Sequence, residues 1–215
     1  MAAQGAPDGT CEVAGEQTAG RGRHGRSWDS PPGAGLWSST LITDCEEPGR
    51  LPLLAALAVR DAARSQQGPT LSIKWPNDVL TPGDRKIAGI LAERCNGGVV
   101  VGIGINLTQS AGELPTETAT SWQQEVGSIP DRSELLADLL LALHRWIHED
   151  WAEALTQYRA ASVTLGKRIR VLEPGGRQWV GDAVEVDPQG HLLVHDGENL
   201  RTVIAGDVVH ATITP

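Results

Sequence analysis

The stretch Lys86–Asn106, KIAGILAERCNGGVVVGIGIN, reads as a β-hairpin. Two apolar runs, Lys86–Arg94 and Gly98–Asn106, flank Asn96-Gly97. Asn-Gly readily takes the positive φ angles of a tight hairpin turn. Gly89 lies inside the first run, and a glycine in a strand interior often marks the close approach of a ligand. Gly102 and Gly104 repeat that theme in the second run. The pattern is not a dinucleotide fingerprint, because no helix follows directly and the spacing is wrong. Lys86 stands at the mouth of the first strand, where a lysine reads first as a solvated end. An exposed edge near Gly98–Ile105 would offer pairing between protomers.

Upstream, Thr70–Trp75 reads as a strand ending at Pro76. In Lys74-Trp75-Pro76-Asn77-Asp78 a cation and a carboxylate stand four residues apart around a rigid proline. That spacing serves either to position an anion and a metal-bridged phosphate or to close a strand-ending turn with an ion pair. Leu51–Ser65 is an alanine- and leucine-rich helix with Pro52 in its first turn, where a missing N–H is tolerated. Gly35–Thr43 is a strand after the Pro31-Pro32-Gly33 turn. Cys11–Glu16 is a short strand, and residues 1–10 are loose.

Between those two strands lies Glu16–Trp28, EQTAGRGRHGRSW. Gly20, Gly22 and Gly25 let the backbone approach a ligand closely. Arg21, Arg23 and Arg26 supply permanently charged planar forks that match phosphate or carboxylate oxygens. Trp28 offers a flat face for stacking. Arg/Gly-rich runs also occur as disordered or nucleic-acid-binding tails. This one is short, unrepeated and followed at once by an apolar strand that fastens it to a folded core. His24 lends polarity rather than acting as a base. A glycine-rich charged loop is expected to be mobile when empty, because such loops have few packing contacts.

Downstream, residues 108–130 form a polar, poorly periodic connection. Asp131 opens a helix with Glu134 in the capping-box position, and Leu135, Leu139, Leu143 and Trp146 keep helical spacing. A second helix runs to about Ala161. His144 and His148, one turn apart, lack a third metal ligand. Five short β-rich runs follow (Arg168–Leu172, Gln178–Val186, His191–Val194, Leu200–Ile204 and Val208–Ile213), separated by glycine-containing turns. They imply a small antiparallel barrel. The expected division is therefore residues 1–165 and 166–215.

The 215-residue chain is 40% hydrophobic, enough for a core. Its formal net charge of −9 makes it a poor general nucleic-acid binder, so the basic loop suits a small anionic ligand. Cys11, Cys45 and Cys95 have no pair at metal-ligand or redox spacing, which fits a reducing cytoplasm. No apolar run reaches membrane-spanning length, and no signal-peptide pattern is present.

Four blocks taken together resemble the biotin protein ligases, the biotin–[acetyl-CoA-carboxylase] ligases. They are Arg21-Gly22-Arg23-His24-Gly25-Arg26-Ser27-Trp28, Lys74-Trp75-Pro76-Asn77-Asp78, Lys86-Ile87-Ala88-Gly89-Ile90-Leu91 and Gly102-Ile103-Gly104-Ile105-Asn106. The resemblance implies an α+β fold: a mixed sheet flanked by helices, similar to class II aminoacyl-tRNA synthetases, followed by an SH3-like barrel. It implies activation of biotin by ATP and Mg²⁺ to biotinyl-5′-AMP, then transfer to one lysine of a biotin carboxyl carrier domain. By resemblance, Arg21 and Arg23 hold the phosphate and the intermediate, Arg26 reaches the departing phosphates, and Lys86 sits at the reacting groups. Gln17, Gly20, Gly89, Leu91 and Trp37 belong to the biotin pocket. Trp28 covers the adenine, and Lys74, Asn77, Gly102, Ile105 and Asn106 lie on the nucleotide side. Asp78 helps Mg²⁺ or the acceptor lysine, and no fixed protein metal site is implied.

One departure bears on activity. The family carries a Ser-Thr-Asn segment well upstream of the arginine loop, whereas 20 residues precede Arg21 here and none reads Ser-Thr-Asn. An incompletely walled biotin pocket, weakened activity and an exposed sheet edge are expected on that ground. The family's DNA-binding N-terminal domain is likewise not seen, which argues against a repressor role. The rival readings are a lipoate or octanoyl transferase of related fold and a non-catalytic relative that keeps only ligand or carrier binding.

Overall fold

The computed structural model describes residues 5–173, 175–204 and 206–210. The expectations for residues 1–4 and for positions 211–213 of the last strand lie outside them. Strands β1 (Cys11–Ala14), β2 (Gly35–Ile42), β3 (Ser72–Lys74), β4 (Asp78–Thr81), β5 (Arg85–Cys95) and β6 (Gly98–Asn106) form one sheet in the order β1-β2-β6-β5-β4-β3. Every pair in it is antiparallel, so the expected mixed sheet is corrected. Among the described residues, parallel contacts are confined to the isolated bridges Ile73–Ser162 and Lys86–Ala119.

β5 and β6 pair from Cys95–Gly98 back to Ala88–Ile105 around the Asn96-Gly97 turn. β6 is thereby interior, with β2 on its other side. The free edge expected near Gly98–Ile105 does not exist; β1 and β3 are the outer strands.

Helix α1 (Leu51–Ser65) is buried along most of its length, from Leu51 to Ala63. It packs on β3–β6 on one side and on α3 (Arg132–His148) on the other. Small residues such as Ala55, Ala56 and Ala58, each fully buried, permit that close double contact. Asp131 caps α3 by accepting from the N–H groups of Ser133 and Glu134, as Asp150 caps α4 (Trp151–Ala161) through Ala152 and Glu153. The polar connection also contains a short helix, α2 (Trp122–Val126), capped by Ser121.

The second sheet comprises β7 (Arg168–Leu172), β8 (Gln178–Val186), β9 (Leu192–His195), β10 (Leu200–Val203) and β11 (Asp207–His210) in the order β10-β9-β8-β7-β11. Among the described residues no ladder joins β10 to β11, so the expected small barrel is not closed over them. The protein is thus an α+β fold with two antiparallel sheets. One apolar core runs through both, from Ile73, Ile87 and Ile105 to Ile169, Val186 and Val194.

Candidate active site

β6 alternates strictly, with Val99, Val101, Ile103 and Ile105 buried. Period two places Gly102 and Gly104 on the opposite face from Ile105. On β5, Gly89, Leu91 and Glu93 share a face by the same rule. These residues line a cavity of about 410 Å³ together with the arginine loop and Trp37. Gly89 and Gly104 are cross-strand partners, and the indole of Trp28 lies over both. A Cβ on Gly89 would come 2.8 Å from the Trp28 ring, and one on Gly104 2.6 Å from its Nε1. Trp28 meets Trp37 edge-on, with ring centres 6.4 Å apart.

The arginine loop is a closed turn rather than a loose strand of chain. Trp28 N–H donates to the Gly20 carbonyl at 2.8 Å, and Gly22 N–H to that of Arg26 at 2.7 Å. His24 and Gly25 take successive left-handed conformations, φ 55° and 74°, where glycine is strain-free and histidine is tolerated. The premise that this loop makes few contacts is corrected. Its ion pairs include a bond to the second sheet that no local sequence pattern announces.

Each cation at the cavity meets a carboxylate. Arg21 pairs with Glu93 at 2.6 Å, and Lys86 Nζ pairs with Asp78 at 2.6 Å while standing 5.2 Å from the centre of the Trp28 ring. Arg26 meets Asp207 of β11 at 2.7 Å. Arg23 Nη1 donates to the Gly206 carbonyl at 3.0 Å and lies 3.4 Å from both Asn77 Oδ1 and Asp207 Oδ1. Burial pulls the Arg23 guanidinium below its usual value, and Asp207, then Asp78, oppose that pull. The arrangement can receive an anion and offer an apolar floor to a ring beside it.

Of the residues expected at the site, Gln17, Arg21, Arg23, Arg26, Trp28, Trp37, Asn77, Lys86, Gly89, Leu91, Gly102 and Asn106 line the cavity. Four do not. Gly20 is a packing glycine: a Cβ there would lie 2.3 Å from the Trp28 carbonyl. Ile105 faces the helical core, 2% exposed. Lys74 sits on the outer strand β3. Asp78 starts β4 rather than ending a turn, and it pairs with Lys86 without itself lining the cavity. Its strand partner is Lys74, so the four-residue spacing records a hairpin.

The wall at Gln109 and Glu113–Thr116 was not foreseen, because that segment has no periodicity. Glu93 was legible from the β5 alternation. His144 and His148 stack 4.2 Å apart outside the cavity, with His148 Nδ1 against the His144 carbonyl. No group of three metal-binding side chains occurs among the described residues.

The model of the Biotin/lipoate A/B protein ligase family matches residues 1–110, and that of the Biotin protein ligase C terminal domain matches residues 164–211. A biotin–[acetyl-CoA-carboxylase] ligase of Mycobacterium tuberculosis is 42% identical over 94% of this chain and 79% of its own length. One of Paracoccus denitrificans is 34% identical over 91% of this chain and 88% of its own. The structure of the Aquifex aeolicus biotin protein ligase in complex with biotin and ATP superposes with a TM-score of 0.85 at 29% identity, covering 96% of this chain and 91% of that one. Sequence, both family models and the fold agree, and the chain belongs to the biotin protein ligases.

Proposed function

We propose that the protein activates biotin with ATP to biotinyl-5′-AMP and passes the biotinyl group to a lysine of a biotin carboxyl carrier domain of an acyl-CoA carboxylase. The observation that carries this is the convergence of Arg21, Arg23, Arg26 and Lys86 on a cavity floored by two indoles and a glycine pair. The first step joins a carboxylate to an α-phosphate, so two anions must be held together. Positioning and charge neutralisation are then the main requirements.

Arg21, Arg23 and Lys86 face the reacting phosphate and carboxylate, and Arg26 faces the departing pyrophosphate. Gln17, Gly89, Leu91 and Trp37 receive biotin, while Asn77, Gly102 and Asn106 lie toward the nucleotide. Trp28, assigned to the adenine by resemblance, packs against Trp37, so we read the two indoles as one floor beneath the junction of the two ligands. Asp78 acts by holding Lys86. Mg²⁺ enters on the nucleotide's phosphates as part of the substrate. In the second step a neutral carrier lysine attacks the carbonyl of the mixed anhydride, the acyl C–O bond breaks so that AMP leaves, and the amine's proton passes to solvent. The cavity's role is to shield the anhydride from water until then.

We further read residues 1–165 as the catalytic domain, class II synthetase-like, and residues 166–215 as an SH3-like module. The setting is cytoplasmic, without a DNA or membrane partner. No helix among the described residues is long and apolar enough to cross a membrane.

The test is ATP- and Mg²⁺-dependent transfer of biotin to a carrier domain, with the wild type beside Lys86→Ala. The wild type should label the carrier and the variant should be slower by at least about 100-fold. A wild type that binds biotin yet neither exchanges pyrophosphate nor labels the carrier would overturn the reading in favour of a binding-only relative.

A further inference from the structure

The arginine loop and the second sheet meet at one carboxylate. Asp207, at the start of β11, lies 2.7 Å from Arg26, 3.4 Å from Arg23 and 3.8 Å from His24 Nε2. Its neighbour Gly206 contributes the carbonyl that accepts from Arg23 at 3.0 Å. These contacts join residues more than 180 positions apart in the chain. Arg23 and Asp207 are both mostly buried, with 19% and 21% of their side chains exposed. A pair so placed is screened less by solvent than a surface pair.

Among the described residues the bonds that the Arg23 guanidinium donates all use Nη1. Among the described residues Nε and Nη2 have no protein partner, and the side chain lines the cavity. A guanidinium fixed by one nitrogen keeps a two-donor edge for a phosphate or carboxylate. Holding that edge in place before the ligand arrives removes an ordering cost from binding.

We propose that Asp207 is a positioning residue: with the Gly206 carbonyl it anchors Arg23 and Arg26 from the second sheet, so that the loop presents its free guanidinium edge to the phosphates of the ligand. The second sheet is thereby a working part of the anion site, although it lends the cavity no lining side chain. The inference deepens the ligase reading and rests on it for the identity of the phosphate ligand.

The experiment is titration calorimetry of the full chain with inorganic pyrophosphate, using wild type, Asp207→Asn and Asp207→Glu. Asparagine keeps the shape and removes the charge; glutamate restores the charge. The expected result is a Kd about tenfold weaker in Asp207→Asn, recovered to within threefold in Asp207→Glu, with biotin affinity unchanged in all three. Amide exchange across Gly20–Arg26 should quicken in Asp207→Asn only. Unchanged pyrophosphate affinity overturns the proposal. Tighter binding does so too, since the carboxylate would then be a competitor, and so does a wild type without measurable pyrophosphate affinity. A parallel loss of biotin affinity and melting temperature in both variants would assign Asp207 to folding alone and equally overturn it. The ligase reading is judged separately, by biotin-dependent ATP–pyrophosphate exchange in the wild type.

Discussion

Gly89 and Gly104 face each other across β5 and β6 and together seat the indole of Trp28. Neither needs a positive φ, so the absent side chains serve the space above the sheet.

Gly104→Ala should displace Trp28, because the new Cβ meets Nε1 at 2.6 Å. In a strand interior alanine is itself more stable than glycine. Biotin affinity is expected to fall at least tenfold while the melting temperature moves by only a few degrees. Calorimetry with biotin and a thermal melt check the pair of outcomes; equal affinity would mean that Trp28 does not shape the pocket.

Gly68→Ala tests packing at two residues that do not line the cavity. Its Cβ would lie 2.1 Å from the ring of Trp122, a side chain 2% exposed that cannot withdraw easily. Overpacking of this kind costs about 1–3 kcal/mol. At about 2–4 °C per kcal/mol for a chain of this size, a drop of roughly 2–12 °C is expected, with biotin affinity preserved.

Tyr158 is fully buried, and its hydroxyl has no hydrogen-bond partner among the described residues. Burial first, and the Asp78 carboxylate second, push the phenol above its ordinary range, so it stays neutral at any working pH. Removing an unsatisfied buried hydroxyl leaves the packing intact. Tyr158→Phe should therefore hold or raise stability, by up to about 1 kcal/mol. Denaturant unfolding reads this, and a loss of 2 kcal/mol would reveal a partner for the hydroxyl.

Asp196 closes the turn between β9 and β10 by accepting from the N–H groups of Asn199 and Glu198. Those bonds, Asn199 first, hold its carboxyl below the ordinary value of 3.8. A depressed folded value means a stabilising contribution that is complete above the unfolded value and lost as pH falls through the folded one. The Glu198 and Asn199 amide resonances should accordingly keep their neutral-pH shifts until the pH is below 3.8. Asp196→Ala should release them at neutral pH.

Where a single physical rule governed a segment, the sequence was enough. Helix α1 runs from Leu51 to Ser65 as its composition and Pro52 imply, and the hairpin follows from Asn96-Gly97 between two apolar runs. Strand β4 was hidden because Asp78 reads as the end of a turn, although Val79 and Leu80 continue into the sheet. The site was legible where charge and glycine cluster locally. It was illegible at Gln109–Thr116, whose position depends on bonds such as Lys86 N–H to the Thr118 carbonyl, and at Asp207, whose partners are remote in sequence. Lys74 and Ile105 fall outside the cavity lining for a related reason: a motif gives spacing along the chain, whereas strand alternation decides which face a residue joins.

The segment 186–190, from the end of β8 into the turn before β9, is fastened to the rest of the chain by main-chain oxygens. The carbonyls of Val186, Pro188 and Gly190 accept from Arg159, from Arg50 and Trp151, and from Trp75. An acceptor that belongs to the backbone is indifferent to the side chain it carries. These bonds are therefore encoded on the donor side: the exposed Pro188 can change without unfastening them, whereas Val186 is fixed by its burial in the core and Gly190 must keep its φ of 85°.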